Sequence, residues 1–174
     1  MELIMRKIFK KTRLPAAIAI ASILLIGLPL TACSNGAIIR DDVSVLDISA
    51  AFDAVIEGSD TLIEPGEAYL SGSIKLDANT LGDHIVKINI FGTNIDEYGI
   101  FKAASETETK RLASVLEDYL SMRNDSWMHE YLPEQYPKLR DAEVKINGLY
   151  VAYAILEKTE REAAFAKLDA MLKK

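Results

Sequence analysis

Cys33 has the most specific chemistry in this sequence, because it is the only cysteine among 174 residues. A single thiol cannot form a disulfide within the chain, so its presence needs another explanation. Residues 1–13 carry five basic side chains and one acidic side chain, and residues 14–30 are uncharged and apolar. A basic segment followed by a short apolar run predicts a secretory signal peptide. The alternative is an uncleaved membrane anchor, because about 17 apolar residues approach the length that spans a bilayer.

The four residues Leu30-Thr31-Ala32-Cys33 resemble the lipobox of bacterial lipoproteins, in which the cysteine receives a diacylglyceryl group. Leu30, Thr31 and Ala32 would then be recognised by the signal peptidase, and Cys33 would be the lipidation site. Two acyl chains hold a protein stably at a membrane. We therefore expect lipoprotein-processing enzymes as partners and a location on the extracytoplasmic face of the cell membrane. The predicted divisions are a signal peptide at 1–32, a tether at 33–44 and one domain at 45–174.

The chain beyond residue 32 is acidic, with 15 basic and 25 acidic side chains. Such a surface repels the phosphate groups of nucleic acids, so a nucleic-acid partner is excluded. Apart from Cys33 this part contains no cysteine, so its domain must fold without a disulfide and without thiolate ligands for a metal. No motif indicates a cofactor, and none is predicted.

The two histidines lack the spacing of a metal site. His129-Glu130 begins like the helix of a zinc protease, but Pro133 stands where the second histidine would be. His84 follows Asp83 and so places one imidazole beside one carboxylate, without a third ligand nearby. We therefore predict no metal site.

The acidic residues give no clear catalytic centre. The adjacent acids Asp96-Glu97 and Glu117-Asp118 have the residue type of a carboxylate dyad, but we expect both pairs to lie on a solvated surface. The sequence contains neither a Gly-x-Ser-x-Gly elbow nor a phosphate-binding glycine loop. No catalytic residue is assigned. The alternative function is an extracytoplasmic hydrolase or modifying enzyme whose site joins dispersed acidic residues and His84.

Aromatic residues are concentrated between residues 119 and 136. Trp127, Tyr131 and Tyr136 would form a recognition patch for a peptide or a sugar if they lay together on the surface. The alternative is that they close the open end of the core. Both interpretations are open at this point.

Two strand pairs organise the domain. Val86, Ile88 and Ile90 alternate with polar residues, which predicts a half-buried strand that returns at 97–102. Asn147-Gly148 between β-forming residues predicts a hairpin with a type I′ turn. That turn places Ile146 opposite Leu149 and Val144 opposite Val151. It also gives one apolar side, and the other side, with Tyr150 and Ala152, is expected to be solvated.

Helices are expected before, between and after these strand pairs. Their predicted positions are 47–56, from Ser105 to about 131 with Glu108 completing a capping box, and from Thr159 to the C-terminus. Residues 59–83 show turn signals but no periodic element. The predicted fold class is α+β, a single two-layer domain with a four-stranded, mainly antiparallel sheet and helices on one face.

Several of these segments together resemble a known family. They are Asp96-Glu97-Tyr98-Gly99-Ile100-Phe101-Lys102, Leu116-Glu117-Asp118-Tyr119-Leu120, Pro133-Glu134-Gln135 and Ile146-Asn147-Gly148-Leu149-Tyr150-Val151. In this order they resemble a family of small lipoproteins from Gram-positive, clostridia-like bacteria that is named only as a domain of unknown function. The resemblance extends from about residue 45 to residue 172 and implies a lipid-anchored α+β domain. It implies no catalytic residue.

These observations predict a membrane-anchored extracytoplasmic lipoprotein. We expect its domain to be a non-catalytic binding or envelope-interaction module, with an envelope protein or a peptide as its partner.

Overall fold

Five antiparallel strands form one sheet in the order β1-β2-β3-β5-β4 in the computed structural model, which describes residues 39–174. The strands are β1 (Leu62–Ile63), β2 (His84–Asn89), β3 (Glu97–Lys102), β4 (Glu143–Asn147) and β5 (Tyr150–Ile155). The helices are α1 (Val45–Asp53), α2 (Glu67–Tyr69), α3 (Glu106–Asp125), α4 (Tyr136–Arg140) and α5 (Lys158–Leu172). A π-helical turn at Leu70–Ile74 follows α2 directly, and 3-10 turns lie at Ser59–Thr61 and Ala78–Thr80.

Helices cover both faces of the sheet. Every residue of β5 is buried. Tyr150, Ala152 and Ala154 pack with α1 and α5. Val151, Tyr153 and Ile155 pack on the other face with the π-turn, α3 and α4. A strand that is buried on both sides consists of a nearly continuous apolar run. The α+β class is confirmed. The expected two layers with helices on one face are wrong, as is the expected solvation of Tyr150 and Ala152.

The fifth strand comes from the segment that gave no periodic signal. Leu62 pairs with Asn89 and Ile63 pairs with Ile88, which adds β1 at the edge beside β2. Two residues are too few to show an alternating pattern. Pro65, two residues after Ile63, limits the strand because proline has no N–H to donate to a neighbouring strand. The predicted four strands are therefore five.

The β4–β5 hairpin has a different register from the predicted one. Ile146 pairs with Val151, and the two turn residues are Gly148 and Leu149. A type I′ turn needs positive φ at both central residues, but of Asn147 and Gly148 only Gly148 has it, at 61°. Asn147 stays in the strand, where its side-chain amide donates to Asp169 Oδ1 at 2.8 Å. Side chains alternate between the two faces of a strand, so a shift of two residues leaves Val144, Ile146, Val151 and Tyr153 on one side, as predicted.

The helix ends differ from the predictions in all three predicted helices. Helix α1 spans Val45–Asp53 with Ser44 as its N-cap, instead of the predicted 47–56. Ser105 caps α3 as predicted, since its Oγ accepts the Glu108 N–H at 3.2 Å, but the Glu108 carboxylate accepts Arg111 instead of completing the predicted box. The helix ends at Asp125 instead of near residue 131. At this end the Ser126 hydroxyl donates to the Met122 carbonyl at 2.8 Å. A hydroxyl in that position competes with the helical ladder. At α5, Glu157 is the N-cap and makes no side-chain cap bond, so the predicted Thr159 box does not form.

Residues 39–44, within the segment expected to be a tether, contact one end of the sheet. Ile39 bridges to Lys173, the Arg40 N–H donates to the Leu172 carbonyl at 2.8 Å, and the Val43 carbonyl accepts the Tyr150 hydroxyl at 2.6 Å. Relative to Ile39, we call the end of the sheet with the Gly148-Leu149 turn the proximal end. The opposite end, with the β2–β3 loop at residues 90–96, is the distal end. Within residues 39–174, no helix has the length and apolar character that crossing a bilayer requires.

Candidate functional site

A buried carboxylate lies at the start of the central strand β3. The Glu97 side chain is 2% exposed and has four hydrogen-bond donors around it. Its Oε1 accepts the hydroxyls of Tyr119 and Tyr153, both at 2.6 Å, and its Oε2 accepts Tyr69 at 3.0 Å and Arg123 Nη1 at 2.8 Å. We call these five residues the Glu97 network. A buried charge is tolerated when it is paired and hydrogen-bonded in this way.

Burial keeps the phenols of the network protonated. It raises the pKa of Tyr69 to about 12, and the negative charge of Glu97 acts in the same direction. The same two causes raise the pKa values of Tyr119 and Tyr153 well above the usual value of a phenol. Burial opposes the charged form of Arg123, but Glu97 and the neighbouring phenols outweigh it and raise the pKa of the guanidinium. At neutral pH the phenols therefore donate hydrogen bonds and cannot act as bases.

The residues on either side of Glu97 in the sequence bond two further helices. Asp96 Oδ1 accepts the Lys138 ammonium of α4 at 2.7 Å, and both side chains are buried. On the opposite face of the strand, the Tyr98 hydroxyl donates to Asp53 Oδ1 of α1 at 2.7 Å. Three consecutive residues, Asp96 at the end of the β2–β3 loop and the first two residues of β3, thus connect this part of the chain to α4, α3 and α1. The expectation that Asp96-Glu97 is a solvated pair is wrong, because the bases and phenols that satisfy these acids come from distant parts of the chain.

A cleft of about 290 Å³ lies beside the Glu97 network, between the π-turn and α3. We call it the α3 cleft. Tyr119 belongs to both features, because its ring lines the cleft while its hydroxyl bonds Glu97. The other lining residues used below are Ile74, Lys75, Val115, Asp118 and Met122.

The three aromatic residues of the predicted patch have different environments. Trp127 packs against the core cluster of α3, and its buried indole Nε1 has no hydrogen-bond partner among residues 39–174. Tyr131 is 57% exposed. Tyr136 is half-buried and lies edge-on to His129, with the ring centroids 4.5 Å apart. Trp127 therefore contributes to closing the core, and Tyr131 is the member most accessible to a partner.

His84 lies in a second cleft, of about 230 Å³, which Glu64 and Glu67 also line. Its Nδ1 is 2.9 Å from the Gly82 carbonyl oxygen, and its ring stacks on Phe101 with the centroids 6.1 Å apart. Among residues 39–174 no group of three His, Cys, Asp or Glu side chains is arranged to hold a metal ion.

The residues of the predicted lipidation motif, Leu30, Thr31, Ala32 and Cys33, lie outside the described residues. Their assignment therefore stays a prediction from the sequence.

The family model for a domain of unknown function, DUF4358, matches residues 68–156, slightly more than half of the chain. The chain belongs to this family. The DUF4358 region contains all five residues of the Glu97 network and the α3 cleft, whereas α1, β1 and α5 lie outside it. The predicted membership of an uncharacterised family is thereby confirmed. No curated protein and no solved structure shows significant similarity to the chain.

Sequence reasoning missed the Glu97 network, although one signal for it was present. Tyr119 and Arg123 are four residues apart on α3, so both side chains lie on one face of the helix. An arginine beside buried positions of a helix is stabilised by an acid in the core, and Glu97 starts the strand that α3 covers. The partners Tyr69 and Tyr153 are separated from Glu97 by 28 and 56 residues, and no local pattern connects them.

Proposed function

We propose that this DUF4358 protein is an extracytoplasmic lipoprotein, anchored in the cell membrane through Cys33, whose domain is a non-catalytic binding module. Its proposed partner is an envelope protein or peptide. The observation that carries the proposal is the run Leu30-Thr31-Ala32-Cys33 directly after a basic segment and an uncharged apolar segment. The only thiol in the chain stands where lipid attachment would need it.

Exposed apolar side chains at one end of the sheet support a binding role for the domain. Ile39 lies against Gly148 at the proximal end, and Cys33 precedes Ile39 by six residues. The β2–β3 loop at the distal end exposes Ile90 and Phe91, at 55% and 59%. The strands between the two ends are about 20 Å long. Ile90 and Phe91 are therefore exposed at the end of the sheet opposite to Ile39, where a partner can reach them.

Labelling of cells with radioactive palmitate tests the anchor. The parent chain is expected to take up the label and to fractionate with membranes, and Cys33→Ala is expected to lose the label and to accumulate as a precursor or in soluble form. Ser34→Ala is the matched control and should behave like the parent. The proposal fails if Cys33→Ala carries the label, or if it is processed and fractionates like the parent.

A further inference from the structure

The α3 cleft has the size and lining of a pocket for one or two apolar side chains. Ile74 is 1% exposed and forms the floor together with Val115 and Tyr119. Met122 lies at the mouth and is 44% exposed. Sites for drug-sized ligands occupy about 300–1,000 Å³, so a volume of about 290 Å³ favours a smaller guest. A methionine at the mouth adapts its shape to different apolar guests.

The walls of the α3 cleft are held in place on both sides. On one side the chain makes a π-turn and then places Lys75 at a φ of 67°, a left-handed conformation that is unfavourable for a residue with a side chain. The Leu76 N–H donates across this turn to the Leu70 carbonyl at 2.9 Å. On the other side, Tyr119 is fixed through its hydroxyl by Glu97. π-Helical turns and strained residues occur frequently at functional sites.

The rim of the cleft along α3 is acidic. Asp118 lines the cleft, and Asp125 follows two turns later on the same side of the helix. Within residues 39–174 neither forms a salt bridge, whereas the nearby cations Arg123 and Lys138 are both paired with buried acids. Lys75, on the opposite rim, donates its ammonium to the Gly72 carbonyl at 2.6 Å and keeps its positive charge. The favourable position for a positively charged group of a guest is therefore on the α3 side of the mouth, against Asp118.

We propose that the α3 cleft binds a cationic segment of a partner protein, with a leucine- or phenylalanine-sized side chain in the cleft and lysine or arginine against Asp118. The proposal rests on the proposed function of the domain as a binding module and names the chemistry that it recognises. The apolar floor supplies the anchor pocket, and the acidic rim selects the charge.

Fluorescence anisotropy tests this binding with the full chain in phosphatidylcholine nanodiscs and with empty nanodiscs as the blank. The probe is a labelled decapeptide with a central Leu-Phe pair flanked by four lysines. One control peptide has glutamates in place of the lysines, and another has two serines in place of the Leu-Phe pair. The parent chain is expected to bind the first peptide with a micromolar Kd and each control at least about tenfold more weakly.

Two pairs of variants separate the cleft from the general acidity of the surface. Asp118→Lys should raise the Kd about tenfold, while Glu117→Lys, with the same charge change on the next exposed residue, should change it less than about twofold. Met122→Ala should raise the Kd about fivefold, while Met128→Ala, an exposed methionine outside the cleft, should not. Circular dichroism of each variant confirms that it is folded.

Three outcomes would overturn the proposal: no binding of the lysine peptide, equal effects of Asp118→Lys and Glu117→Lys, or equal binding of the glutamate peptide. A dimer of the parent that Met122→Ala dissociates would show that the cleft is occupied by a second copy, which also overturns it. If Cys33→Ala kept the palmitate label while the parent bound the lysine peptide, the anchor would be refuted and the peptide-binding proposal would stand. The two proposals can therefore fail separately.

Discussion

Glu97 places a full negative charge in the interior, and its surroundings determine what that charge can do. Each carboxylate oxygen accepts two hydrogen bonds, and the Arg123 guanidinium supplies the compensating positive charge. A carboxylate with all its acceptor positions occupied is a poor general base and a poor metal ligand, because another guest would have to displace a donor. Removing one partner of a buried ion pair leaves an uncompensated charge, which is strongly destabilising. The network is therefore a source of stability, and this can be measured.

Replacing Glu97 with Gln should lower the free energy of unfolding by about 3 kcal/mol, because Arg123 loses its counter-ion and the amide NH₂ group faces hydroxyl donors. Glu108→Gln is the matched control. Glu108 is also paired with an arginine, Arg111, at 2.6 Å, but both side chains are partly exposed, at 29% and 46%. An exposed pair contributes roughly 0–1 kcal/mol, so the control should be nearly neutral. Urea unfolding followed by circular dichroism measures both, and equal losses would contradict the role of Glu97.

At the scale of elements, β3 is the strand to which the helices on both faces are connected. Asp96, Glu97 and Tyr98 each bond a different helix. Gly99 has another role, since the Tyr153 ring of β5 lies across its α-carbon and any Cβ there would overlap Tyr153 Cε1. The glycine lets Tyr153 reach over β3 to bond Glu97. The close approach of two strands and the buried network therefore depend on one another.

Gly99→Ala should destabilise the domain by about 1–3 kcal/mol, because the new methyl group overpacks the strand pair and displaces Tyr153 from Glu97. Gly72→Ala is the control, since a Cβ at Gly72 meets no atom within 4 Å. Gly72 lies in the π-turn, where alanine should be neutral or slightly stabilising. Thermal unfolding should therefore show a lower midpoint for Gly99→Ala only. A midpoint for Gly99→Ala equal to that of the parent would show that Tyr153 can move at no cost.

The elements with a clear period were predictable from the sequence, and those fixed by distant contacts were not. Strand β2 follows from alternation, β3 follows as the strand that returns after the turn, and the Ser105 cap follows from a local hydrogen bond. The second covered face of the sheet was missed because Ala152 and Ala154 are small and resemble a mixed surface until α1 and α5 cover them. Glu97 was missed because its burial depends on Tyr69, Tyr119 and Tyr153, which only the folded chain brings together.

At the scale of the whole molecule, buried phenols from several elements share one dependence on pH. Burial is the first cause in each case, and it raises the pKa of five tyrosines above the usual value near 10. They are Tyr69 of α2, Tyr98 of β3, Tyr119 of α3, and Tyr150 and Tyr153 of β5. Because these elements pack together, no single phenol can ionise in place without leaving a charge in the core. Their titration is expected to be coupled to global unfolding.

The sign of this coupling follows from the direction of the shifts. A phenol whose pKa is raised by folding contributes stability that is fully present below the unfolded value near 10, and that is lost as the pH rises toward the folded value, about 12 for Tyr69. Above pH 10 each phenol that stays protonated in the folded state lowers the free energy of unfolding by about 1.4 kcal/mol per pH unit, and the contributions of several such phenols add. Small domains have about 5–15 kcal/mol in total. We therefore expect one cooperative alkaline transition between pH 10 and pH 12.

Phenolate absorbance at 295 nm and circular dichroism, recorded on the same samples, measure this transition. The absorbance change that belongs to these five tyrosines should coincide with the change in circular dichroism, since they ionise when the domain unfolds. In Tyr119→Phe one phenol no longer titrates, so the free energy of unfolding should fall less steeply with pH by about 1.4 kcal/mol per unit. Tyr131→Phe, at an exposed position, is the control and should leave the slope unchanged. If all the phenols ionised gradually while the circular dichroism stayed native, the buried tyrosines would not stabilise the fold in the way the network requires.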